Sequence, residues 1–109
     1  MRVESRHRLV LEALKKTNIP VLQVWFHGAR ARGDNKKSDN WEYLVILSNW
    51  KGQYDDAERD ICAIVPFKGA VLTAATLASM ERRGSPGWWA EHEGVNIYTS
   101  ESNEASESE

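Results

Sequence analysis

The chain is short of cysteine, of proline and of long apolar runs, and each shortage removes a class of protein. One cysteine in 109 residues rules out an intramolecular disulfide. Because Cys62 sits inside the apolar run Ile61–Phe67, its thiol is expected to be reduced and buried. Three prolines and seven glycines are too few for a collagen-like or low-complexity chain. The longest apolar stretches, Tyr43–Leu47 and Ile61–Phe67, reach at most about a third of the ~20 residues that cross a bilayer, so no membrane span is expected. In the N-terminal MRVESRHRLVLEALKK, charges interrupt the apolar residues every few positions, unlike the core of a secretory signal, and the cytoplasm is the expected location. Neither sign of charge dominates: 14 basic and 16 acidic residues give a net charge of −2.

Hydrophobic residues make up 41% and charged residues 28% of the chain, which suits one soluble domain with one core. Four of the acids, Glu101, Glu104, Glu107 and Glu109, fall in the last nine residues, so residues 1–100 carry +2. That tail has no large apolar side chain to bury and is expected to be disordered and solvated, leaving 1–100 as the folded domain. Within the domain, Arg30, Arg32, Lys36 and Lys37 crowd one short stretch beside Gly28 and Gly33, where an anion is the natural guest. The body is otherwise only slightly basic and has no long cationic stripe, so nucleic acid is not an expected partner.

Periodicity places a helix over about Arg6–Thr17, with Leu9, Leu11 and Leu14 on one stripe and Ser5 as its cap. Asn18 and Pro20 stop it. VLQVWF, Val21–Phe26, reads as a first strand, and WEYLVIL, Trp41–Leu47, as a second, covered on both faces. Lys51–Arg59 suggests a short helical turn, ICAIV (Ile61–Val65) a third strand, and alanine-rich Ala70–Met80 a helix. A break over Gly84–Gly87, a short helix around Trp88–Glu93 and a last strand VNIY complete an α/β (α+β) domain around one small sheet.

The stretch that carries chemistry is WFHGARARGDNKKSDNWEYLVIL: a strand, a small-residue turn, a charged loop, and a second strand that opens on an acidic group. This resembles the nucleotidyltransferase superfamily of DNA polymerase beta in its minimal, single-domain form. The pattern of that family is Gly-Ser, ten residues, then Asp-x-Asp. Here Gly28-Ala29 is followed by the ten residues Arg30–Asp39 and then by Asn40-Trp41-Glu42. The similarity continues through ERRGSP and EGVNIY and covers most of residues 6–98. It implies a small mixed nucleotidyltransferase-type sheet with flanking helices.

Phosphoryl chemistry explains such a pattern. Backbone amides in a glycine turn can meet phosphate oxygens without a side chain in the way. Two carboxylates one residue apart on a strand share a face and can reach hard divalent cations. The resemblance thus implies Gly28, Ala29, Arg30 and Arg32 as nucleotide-binding residues, and Asn40, Glu42 and Asp39 as the catalytic, metal-binding group, with Mg2+ and ATP as cofactor and ligand. Three departures weaken that site. Ala29 lacks the serine hydroxyl, a loss of ~1 kcal/mol for one hydrogen bond. Asn40 brings no charge and takes no proton. Glu42 carries one methylene more than Asp, and misplacement on that scale in a reacting site can cost about 100-fold. A bulge that swings Asp39 onto the face of Glu42 would offset the loss. A third carboxylate, common on the next strand in active relatives, is absent from ICAIV, where only Asp60 lies near.

Other residues have plainer readings. His27 suits a strand-end structural role, and His7 and His92 lack metal-ligand spacing. Of the five tryptophans, Trp25 and Trp41 suit the core, whereas Trp88 and Trp89 cannot both turn inward, leaving one to stack a base or dock a partner. The expectation that follows is a nucleotidyltransferase fold with a degenerate metal site that binds nucleotide or a partner with weak or no adenylyl transfer. The resemblance further implies a HEPN-type partner in a toxin–antitoxin pair, and the aromatic surface suits a homo-oligomer. The alternative expectation is an active Mg-dependent enzyme moving AMP from ATP to a protein or small-molecule hydroxyl.

Overall fold

The structure is a computed structural model and describes residues 2–47 and 54–100. The acidic tail expected over 101–109 and the start of the expected Lys51–Arg59 turn lie outside the described residues. Helix α1 (Val3–Lys15) leads to strand β1 (Val21–His27), the one-turn helix α2 (Ala29–Arg32) and strand β2 (Trp41–Leu47). Helix α3 (Tyr54–Cys62), strand β3 (Ala70–Thr76), a 3-10 turn (Leu77–Glu81), helix α4 (Pro86–Glu93) and strand β4 (Val95–Thr99) follow. The sheet order is β3-β2-β1-β4; β2 and β3 run parallel and the other pairs antiparallel. A parallel neighbour needs a crossover, and α3 is that crossover.

Strand β2 is the spine, with Tyr43 to Leu47 buried without a break. Its alternate residues feed two cores. Tyr43, Val45 and Leu47 join Val24, Phe26 and Leu72 beneath Val10 and Leu14 of α1 and Ala57 and Ile61 of α3. Leu44 and Ile46 meet Met80 and Ala90 on the opposite face. Each fully buried aliphatic side chain here stabilises the fold by about 1.5–3 kcal/mol. Above the first core the His7 Nδ1 lies 2.9 Å from the Tyr43 hydroxyl. Burial pushes the Tyr43 phenol well above its ordinary pKa, so it stays neutral.

Four expectations are corrected. Helix α1 begins at Val3, with Arg2 as a cap that makes no side-chain bond, so Ser5 lies inside the helix rather than at its end. ICAIV is not a strand: Ile61 closes α3 and packs with Ala57 one helical turn away, while Val65 is 66% exposed. The third strand is the alanine-rich Ala70–Thr76, in which pairing with β2 along its whole length overrides helix propensity. Cys62, at the exposed end of α3, is a free, solvent-facing thiol rather than a buried one. Among the described residues no helix is long and apolar enough to cross a membrane.

Candidate functional site

The site grows from the place where β1 ends. His27 pairs directly across the ladder with Glu42, so their side chains leave the same face with Cβ atoms about 5 Å apart. Gly28 then turns the chain with φ +85° and ψ −166°, a conformation essentially confined to glycine. A Cβ at Gly28 would collide with Glu42 Oε2, so the missing side chain is also what lets the carboxylate lie against the turn. In α2, Ala31 N and Arg32 N each donate to Gly28 O at 3.1 Å. The amides of Ala29 and Arg30 precede that first intrahelical bond.

The loop from α2 to β2 is fastened from within. Arg30 Nε donates to Asp39 O at 2.8 Å and Arg30 Nη2 to Lys37 O at 3.0 Å, while the guanidinium rests 4.6 Å from the Trp41 ring centroid. Asp39 Oδ2 accepts from Lys36 N at 2.8 Å. Trp41 is itself held by Arg6, 4.3 Å above its ring, and by Phe26, stacked at 5.6 Å. The paired register of β2 thus starts from an anchored loop.

These elements enclose a cleft of ≈ 590 Å³. Six of the residues expected to bind nucleotide or metal line it: Gly28, Ala29, Arg32, Asp39, Asn40 and Glu42. Arg30 does not, being turned to the loop carbonyls and Trp41. The β1–β2 pairs end at His27–Glu42, so Asp39 stands ahead of the ladder, in the same cleft as Glu42. Asp39 closes the turn onto Lys36. The strand beside β2 carries no carboxylate: Val71 stands opposite Glu42 and Thr73 opposite Leu44. Asp60 lies exposed in α3 rather than ahead of a strand.

Three further residues complete the cleft. His27 belongs to it, and its Nε2 is buried without a hydrogen-bond partner. Burial lowers the His27 pKa against the opposing pull of Glu42, with Arg32 lowering it further, so the ring is neutral at pH 7. Trp89 and Glu93, one helical turn apart on α4, form the far wall. Glu93 Oε2 takes Arg32 Nη1 at 3.2 Å, and Asp34 takes Arg32 Nε at the same distance. The α4 pair had one local signal in the sequence, the i,i+4 spacing of Trp89 and Glu93, but nothing local says which strand α4 covers. A neighbouring cavity of ≈ 360 Å³ shares His27 and Glu42 and adds Glu58 and Thr73.

The mixed four-stranded sheet with one parallel crossover and flanking helices matches a nucleotidyltransferase-like α+β fold. The chain superposes on the crystal structure, at 1.40 Å resolution, of a "putative nucleotidyltransferase" from Sulfolobus solfataricus. The TM-score is 0.59 at 16% identity, over 90% of this chain and 80% of that one. No family model and no curated protein matches the sequence.

The donor set in the cleft can be weighed against a divalent cation. Asp39, Asn40 and Glu42 offer the oxygen donors that Mg2+ takes, but among the described residues no group of three or more His, Cys, Asp or Glu could hold an ion alone.

Proposed function

We propose that this chain is a nucleotide-binding protein of the nucleotidyltransferase fold, taking a nucleoside triphosphate with Mg2+ in the Gly28–Glu42 cleft, with adenylyl transfer weak or absent. The observation that carries this reading is the convergence of the Gly28 turn, the Asp39–Glu42 opening of β2 and Arg32 on one cleft. Gly28 and Ala29 would receive phosphate on backbone amides, and Glu42, with Asn40 and Asp39, would hold the cation. Such an ion neutralises charge on the phosphates and lowers the pKa of a bound nucleophile.

Electrostatics supports the pairing of nucleotide with cation. Asp39, Glu42 and Glu93 face the single guanidinium of Arg32, with His27 neutral, so the lining is net negative. A bare triphosphate is repelled by such a wall, whereas its magnesium complex, still anionic overall, is repelled less and can turn its cation toward the carboxylates. Weak transfer is supported by the neutral amide at Asn40, the methyl at Ala29, the absence of a carboxylate on β3 and the engagement of Arg32 by two carboxylates. A HEPN-type partner, implied by the resemblance alone, would make this module the antitoxin of a pair; co-purification with a helical protein encoded beside it tests that part.

Incubation with α-labelled ATP and Mg2+, beside Asn40→Asp, tests the reading. Label transfer that appears or rises at least tenfold only in Asn40→Asp supports a binding module limited by its missing charge. Robust transfer by the unmodified chain, lost in Glu42→Ala, would instead establish the active enzyme.

A further inference from the structure

Trp89 is 48% exposed, a large apolar surface left in water, whereas Phe26 and Tyr43 are buried and the other described aromatics are partly covered. The Trp89 ring meets Trp88 edge-on at 4.9 Å, Trp88 stacks on His92 at 3.9 Å, and the Trp88 backbone is tied at both ends. Ser85 Oγ accepts from Trp88 N at 3.1 Å, and His92 Nδ1 lies 2.8 Å from Trp88 O. A supported indole loses little freedom when a flat ring settles on it. Its position is equally telling: it stands in the wall of the cleft whose other side is the Gly28–Ala29 turn.

We infer that Trp89 is the platform on which the base of the bound nucleotide stacks. The inference rests on the nucleotide reading given above and adds the recognition of the base to it. Trp89 is the one large apolar side chain of the lining, among His27, Arg32, Asp39, Glu42 and Glu93. A lone aromatic face in a polar cleft of ≈ 590 Å³ suits a ligand that is flat and apolar at one end and anionic at the other. Stacking needs only a π-face, so purine triphosphates with different edges should bind alike.

The test titrates the full chain with Mg2+-ATP, Mg2+-GTP and Mg2+-tripolyphosphate by calorimetry, using the unmodified chain, Trp89→Ala and Trp89→Phe. The unmodified chain is expected to bind ATP and GTP within about threefold of each other and about 10- to 100-fold tighter than tripolyphosphate, the range of one base stack. Trp89→Ala should bring ATP to the tripolyphosphate level and leave tripolyphosphate affinity unchanged, while Trp89→Phe keeps most of the gain. An ATP advantage that survives Trp89→Ala, or an equal loss for all three ligands, overturns the platform while leaving the phosphate site standing. That result would favour Trp89 as a contact for a protein partner or a second copy. If neither ATP nor tripolyphosphate binds the unmodified chain, the nucleotide reading fails and the platform with it.

Discussion

Gly28→Ala perturbs the turn in two separable ways. The backbone at φ +85° and ψ −166° lies where an alanine is strained by about 1–3 kcal/mol. The new methyl also meets the Glu42 carboxyl, but that is the end of a flexible side chain and can swing aside. Stability should therefore record mainly the backbone strain, and ligand affinity mainly the displaced carboxylate. For a domain of this size 1 kcal/mol moves Tm by roughly 4–8 °C, so the variant should melt about 5–20 °C lower. Thermal unfolding of Gly28→Ala beside Gly28→Ala/Glu42→Ala separates the two: removing Glu42 should restore less than about a third of the loss, because the strain remains. An unchanged Tm, or full recovery in the double variant, would refute this account of the turn.

Other outcomes follow from the same contacts. Trp41→Ala strips the stack with Phe26 and the platform beneath Arg6 and Arg30, and should cost about 3 kcal/mol in urea unfolding, with Trp41→Phe costing less. Arg30→Ala frees the carbonyls of Lys37 and Asp39; it should raise amide exchange over residues 34–40 while lowering global stability by only about 1–2 kcal/mol. Burial lowers the pKa of His7, against a smaller upward pull from Glu4, and lowers that of His27 as well. The unfolded chain thus binds protons first, and stability present above pH 6.5 is lost as pH falls from there toward the lowered folded values. Melting curves from pH 7.5 to 5 should show that decline, and His7→Gln should flatten part of it.

Much of the fold was legible because pattern and local chemistry agreed. Val21–Phe26 and Trp41–Leu47 combine β-branched and aromatic residues with a helix stop before one and a polar loop before the other, and they form strands within a residue of expectation. Ser85 and Gly94 bound α4 as capping residues do. The middle of the chain was misread for one reason. Short apolar runs do not declare their period, and Ile61–Val65 has strand composition, yet Ile61 faces the core through the helical spacing it shares with Ala57. Ala70–Thr76 has helix composition, yet Ala70 and Leu72 are buried while Val71 and Thr73 are exposed, the two-residue alternation of a strand. In the site, the resemblance implied a set of residues of which Gly28, Ala29, Arg32, Asp39, Asn40 and Glu42 line one cleft. It could not foresee that Arg30 serves the loop, or that α4 supplies a wall, because both depend on contacts between segments far apart in sequence.

On the function proposed above, the Gly28–Glu42 cleft receives the phosphates of a nucleotide together with a divalent cation. Amide chemical-shift mapping of the isotope-labelled chain with ATP, with and without Mg2+, tests it most directly. Shifts concentrated at Gly28, Ala29, Arg32 and Asp39–Glu42, larger with Mg2+ and abolished by Glu42→Ala, are the predicted result. Shifts confined to another surface, or none at millimolar Mg2+-ATP, would contradict it.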